Sequence, residues 1–144
     1  MENNNYHKTM TVNASAEEAM RKISEVNGWW AKIFIGKADK LHDKFSVRFG
    51  ETYVDFQVSD LIPDKKVVWK VTDCHLHWIK AQKEWMGTEV VFEFSKKGNE
   101  TRIDFTHIGL VPGVECYNDC EVGWNGHLTG SLVEFINGGV GTPQ

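Results

Sequence analysis

The sequence predicts an α+β fold in which a curved antiparallel β-sheet wraps around one long C-terminal α-helix. Three observations carry this. Thr88–Lys96 and Thr101–Ile108 alternate apolar and polar residues on either side of Lys97-Gly98-Asn99, so they form a hairpin. Gly109 and Pro112 then stop the strand, and a helical pattern runs from about Glu115 to Asn137. Upstream, short alternating runs punctuated by turn residues occupy most of the chain from Asp43 to Thr72.

Tyr6–Val12 alternates with Met10 and Val12 on one face and reads as an edge strand. Ser15 stands three residues before Glu18, the spacing of a capping box, and starts a helix over Ala16–Ile23 that Asn27-Gly28 ends. Trp29-Trp30 and Ile33-Phe34 are expected to form a second short helix and a turn. Asp43–Phe49 places Phe45, Val47 and Phe49 on one face, and Gly50-Glu51 turns into Tyr53–Leu61. After the Pro63-Asp64 turn, Lys66–Thr72 carries Val67, Trp69 and Val71 inward. Between Asp73 and Met86 the pattern is weakest: Leu76 and Trp78 could extend a strand, and Lys80–Lys83 reads as a loop. In the hairpin, Val90, Phe92 and Phe94 face Ile103, Phe105 and His107.

At 1.5 Å per residue the last helix would be about 30 Å long. At 100° per residue it gathers Tyr117, Cys120, Trp124, Leu128, Ser131 and Phe135 on one face. Gly123, Gly126 and Gly130 are costly inside a helix, each on the order of 1 kcal/mol relative to Ala, and imply close backbone approach or space for a ligand. Gly138-Gly139 ends the helix.

With 144 residues the chain is expected to be one domain, residues 1–144, with a core of its own. Its formal net charge of −4 and scattered basic residues argue against a nucleic-acid partner. No apolar run approaches a membrane span, and Met1–Asn5 lacks the basic and apolar regions of a signal peptide. Three cysteines make a disulfide framework improbable, and a cytoplasmic location is expected.

The order of one strand, two short helices, a run of strands and a long helix is that of a helix-grip fold. The residues also carry a resemblance: Trp29-Trp30, PDKKVVW at Pro63–Trp69, EWMGT at Glu84–Thr88, FTHIGLVP at Phe105–Pro112, ECYNDC at Glu115–Cys120 and GSL at Gly130–Leu132. As an ordered set, from about Lys8 to Pro143, they resemble the SRPBCC (START-like) superfamily. Within it they are similar to the AHSA-type branch, related to the activator of the heat-shock ATPase chaperone. The resemblance implies a curved sheet gripping the C-terminal helix around a cavity that often takes hydrophobic small molecules. The chain departs from those relatives at Gly126-His127, where they carry bulky aromatics, so the cavity or helix surface there should differ.

On this reading the ligand is small and apolar or amphipathic. Phe56, Trp69, Phe92 and Phe105 are expected to line its site from the sheet, together with Trp30. Tyr117, Cys120 and Trp124 do so from the helix, with His107 and Tyr117 fixing a polar end. No catalytic residue, cofactor or metal is assigned. His107 could be a polar anchor, a general base or a buried histidine bonded to backbone. Cys116 and Cys120 share a helix face with His127, which is zinc-compatible chemistry, but their spacing is no zinc knuckle and suits buried packing thiols. His75 and His77 read as an exposed pair. Glu84 is placed to bond loop backbone and Glu115 to favour a helix start. Two other functions fit: a regulator with a chaperone partner, acting through its surface, and an enzyme of the polyketide-cyclase kind using His107.

Overall fold

The computed structural model describes residues 4–144, so the expectation for Met1–Asn5 falls mostly outside it. Among the described residues seven strands form one antiparallel sheet: β1 Tyr6–Val12, β2 Ile33–Gly36, β3 Lys44–Phe49, β4 Thr52–Ile62, β5 Lys66–His75, β6 Glu89–Lys97 and β7 Glu100–Ile108. Their order is β1-β7-β6-β5-β4-β3-β2, so the first strand closes onto the last. Phe92 pairs with Phe105 and Val90 with His107, the hairpin register that the alternation implies. Two register shifts between β4 and β5 bend that pair, and such bulges increase local twist. The bent sheet cups the helix. The fold is therefore the helix-grip α+β arrangement.

Helix α1, Ala16–Ser24, begins where its cap places it: Ser15 Oγ accepts from the Glu18 amide at 3.1 Å. Ala19 and Ile23 are buried beneath it. The second helical element is a single 3₁₀ turn at Val26–Gly28, ahead of the tryptophan pair, and Ile33-Phe34 enter β2. Trp29 is held inside by a bond from its Nε1 to the Ile23 carbonyl at 3.1 Å. Trp30 is fixed through its backbone, whose carbonyl accepts from the Gln144 amide at 2.9 Å. An added methyl at Gly28 would strike the Phe135 ring, so that turn packs flush against the end of the C-terminal helix.

The C-terminal helix starts at Tyr117, two residues later than expected, and is not uniformly α. It runs as α2, Tyr117–Asn125, a π-helical stretch over Gly126–Leu132, and α3, Val133–Ile136. Cys116, Cys120, Trp124, Leu128, Leu132 and Ile136 are all buried, a strict step of four. In a pure α-helix each step of four drifts by about 40°, so this stripe would wind off the sheet within a few turns. The wider π turns remove that drift. The buried stripe therefore follows Leu132 and Ile136 at its end, and Phe135 is only half-buried. Gly126 and Gly130 are exposed and face no neighbour, so they do not open the interior.

Candidate functional site

A pocket of about 310 Å³ lies between the concave sheet, the 76–85 connection and the first turns of the C-terminal helix. From the sheet come Phe49, Thr52 and Val54; from the connection, Leu76, Trp78 and Trp85; from the helix, Asp119, Cys120, Gly123, Trp124 and His127; Trp30 completes it. Its surface is mostly apolar and it opens to solvent beside Trp78, which is 48% exposed. Trp85 and Trp124 stack at 6.1 Å, and Trp124 meets Trp30 at 4.9 Å, so three indoles form a continuous aromatic wall.

Of the residues expected from sequence, Trp30, Cys120 and Trp124 come together on this pocket. Phe56, Trp69, Phe92 and Phe105 sit behind it in the core, at most 1% exposed. They pack ring to ring: Trp69 meets Phe92 at 5.0 Å, Phe92 meets Phe105 at 5.1 Å, and Phe105 meets Trp124 at 4.6 Å. Tyr117 stands off the pocket, its hydroxyl donating to Glu121 Oε2 at 3.2 Å. His127, at the point of departure from the resembled relatives, lines the pocket, and Gly123 is the helix glycine that does so.

His107 is fully buried, and both ring nitrogens are engaged. Trp124 Nε1 can only donate, so at 3.1 Å it makes Nδ1 the acceptor. Nε2 then carries the proton and donates to Thr88 Oγ1 at 2.9 Å, whose hydroxyl donates to the Trp85 carbonyl at 2.6 Å. Burial pushes the imidazole down to about 3. The geometry is that of a neutral structural histidine tying β7 to the helix and to the connection. Gly109, in the left-handed region at φ 104°, lets the chain pass tight against Thr88, where a Cβ would meet the Thr88 methyl at 2.6 Å.

Cys116, Cys120 and Cys74 are free thiols, and all are buried. The Cys120 thiol donates to Cys116 Sγ at 2.6 Å, and Trp85 Nε1 donates to the same sulfur at 3.2 Å. The bond from Cys120, against burial, pulls Cys116 below the usual thiol range; the same contact and then burial push Cys120 up. Among the described residues no group of three or more His, Cys, Asp and Glu is arranged to hold a metal ion. His77 pairs with Glu51 at 2.7 Å on the surface, and His75 stacks on Tyr53 at 6.1 Å.

The mouth is held by a reciprocal pair of carboxylates. Glu84, in the connection, accepts from the backbone amides of Glu115 and Cys116 at 2.8 and 3.0 Å, satisfying donors at the helix entry. Glu115, at that entry, accepts from the amides of Lys80 and Ala81 at 3.0 and 2.9 Å, and these bonds hold its carboxyl below the usual range. The clamp sets Trp78 and Trp85 over the pocket. Glu84→Ala should lower stability by about 1–2 kcal/mol, the scale of a lost helix cap, with Glu84→Gln costing less. Urea denaturation checks this; equal midpoints for Glu84→Ala and the parent would show that the helix entry is held otherwise.

Comparison with known proteins places the architecture. No family model matches the chain, and neither does any curated protein. Solved structures do. The solution structure of the Aha1 dimer from Colwellia psychrerythraea matches with a TM-score of 0.75 at 24% identity, over 94% of this chain and 97% of that one. Protein SSP2350 from Staphylococcus saprophyticus matches at 0.71 with 11% identity, over 96% and 98% of the two chains. CalU16 from Micromonospora echinospora matches at 0.67 with 16% identity, over 92% of this chain and 73% of that one. The chain thus shares the helix-grip fold of these solved structures. No helix among the described residues is long and apolar enough to cross a membrane.

Proposed function

We propose that the protein binds a small apolar or amphipathic molecule in the pocket between its sheet and its C-terminal helix. The observation that carries this reading is an open, aromatic-walled space of about 310 Å³, at the lower end of the range for small-molecule sites. Trp30, Trp124 and Cys120 would touch the ligand. Phe56, Trp69, Phe92 and Phe105 would hold the wall that those residues form, with His107 bracing Trp124 from behind. His107 has no nitrogen left for a proton transfer to a bound molecule, so binding without chemistry is the reading favoured here.

The test is native mass spectrometry of freshly purified protein, followed by thermal shifts with a panel of hydrophobic dyes and fatty-acid-like probes. A ligand at about 100 times its dissociation constant should stabilise the fold by about 2.7 kcal/mol and raise Tm by roughly 5–10 °C. A retained molecule or such a shift, abolished by filling the pocket with Gly123→Leu, supports the proposal. Absence of both across the panel would sink it. The likeness to the Aha1 structure would then favour a regulator that works through its surface.

A further inference from the structure

The polar groups at the pocket mouth bear on the ligand's chemistry. Aromatic rings from Trp30, Trp78, Trp85 and Trp124 dominate the lining, and among the described residues Asp119 is its one acidic side chain. Among the described residues no Lys or Arg lines the pocket. His127, the titratable nitrogen group in the described lining, is held toward its neutral form by burial. Asp119 Oδ2 accepts from Trp78 Nε1 at 3.1 Å, which turns the half-exposed Trp78 ring and the carboxylate toward each other at the opening. Asp119 Oδ1 has no hydrogen-bond partner among the described residues.

We propose that the pocket selects ligands carrying a positive, ammonium-type group, with the indole rings surrounding the cation and the Asp119 carboxylate facing it. This rests on the binding function proposed above and adds the ligand's charge. Indole faces present negative electrostatic potential, which attracts a cation placed over the ring, the more so the further it is desolvated. A carboxylate at the mouth adds a complementary charge that a neutral or anionic ligand cannot use. An anion would meet the Asp119 charge with no basic side chain in the lining to offset it. The apolar wall of Phe49, Val54 and Leu76 would take the remainder of an amphipathic cation.

The experiment uses three probes with the same naphthyl body, bearing trimethylammonium, hydroxymethyl or carboxylate. Each is titrated calorimetrically into the parent and into Asp119→Asn. The amide oxygen of Asn can still accept the Trp78 N–H, so the mouth keeps its geometry while the charge is removed. The trimethylammonium probe should bind the parent about tenfold more tightly than the hydroxymethyl probe. The carboxylate probe should bind weakest. Asp119→Asn should weaken the cation about fivefold and leave the neutral probe unchanged, and added salt should narrow the preference in the parent alone. Equal affinity for the neutral and cationic probes, or a preference untouched by Asp119→Asn, would overturn the cation assignment and leave the binding function standing. If none of the three binds and the broader panel also fails, both fall together.

Discussion

Trp124→Ala should be the most destabilising single substitution in the C-terminal helix. It should cost about 3–5 kcal/mol, the range for removing a large buried aromatic. Trp124 is 2% exposed and touches Trp30, Trp85 and Phe105, so truncation removes the ring on which the sheet side and the helix side meet. It also leaves His107 Nδ1 without its donor in a fully buried site. That adds to the cost, because an unpaired buried acceptor keeps its desolvation penalty. Trp124→Phe separates the two contributions: it retains most of the apolar area and loses only the N–H, so about 1–3 kcal/mol should be lost. Chemical denaturation measures both. A Trp124→Ala midpoint indistinguishable from the parent would mean that the sheet and helix do not pack through this residue.

Much of this arrangement can be read from local pattern. The alternation of Val90, Phe92 and Phe94 against Ile103, Phe105 and His107 sets the hairpin and its inward face, because a shift of one residue would expose every apolar side chain. The Ser15–Glu18 spacing marks the start of α1 for an equally local reason. Strand β2 was hidden because Ile33 and Ile35 lie on an exposed sheet edge, where four residues show no buried face. The π stretch left a trace in the step-of-four spacing from Cys116 to Ile136, but a wheel drawn at 100° per residue assigns the last positions to Phe135 instead. The pocket itself was legible only from the helix and Trp30. Its remaining walls come from β3 and β4, through Phe49, Thr52 and Val54, and from the connection after β5, whose path is set by carboxylate–backbone bonds of Glu84 and Glu115 across more than thirty residues. No local periodicity encodes such a clamp. Asp119 gave no signal either, since an acidic residue in the first turn of a helix is favoured there whatever else it does.

His107 should give the fold a steep acid sensitivity that begins well above the carboxylate range. In the unfolded chain its imidazole takes up a proton as the pH falls below about 6.5. In the fold, burial keeps it neutral down to about 3. Between those values the unfolded state binds more protons than the native state, so stability falls as the pH falls. The loss should be about 1.4 kcal/mol per pH unit well inside the window, and the histidine adds no slope above roughly pH 7.5. The surface carboxylates of Asp73 and Asp104, both held below their usual range, also lose stability with acid, but only as the pH falls through their lower region. The interval from about 6 to 5 therefore isolates the histidines. His127 is pushed down by burial in the same direction and contributes slope of the same sign. His107→Gln separates the two, because its amide can bond Thr88 or Trp124 and does not titrate. Denaturation midpoints for parent and variant across this interval should converge as the pH drops, the parent losing stability faster. Parallel pH profiles would show that His107 takes up its proton in the fold as readily as in the unfolded chain across this interval. The bond from Trp124 Nε1 to a bare Nδ1 could not then exist, and the link from β7 through the histidine to the pocket wall would have to be redrawn.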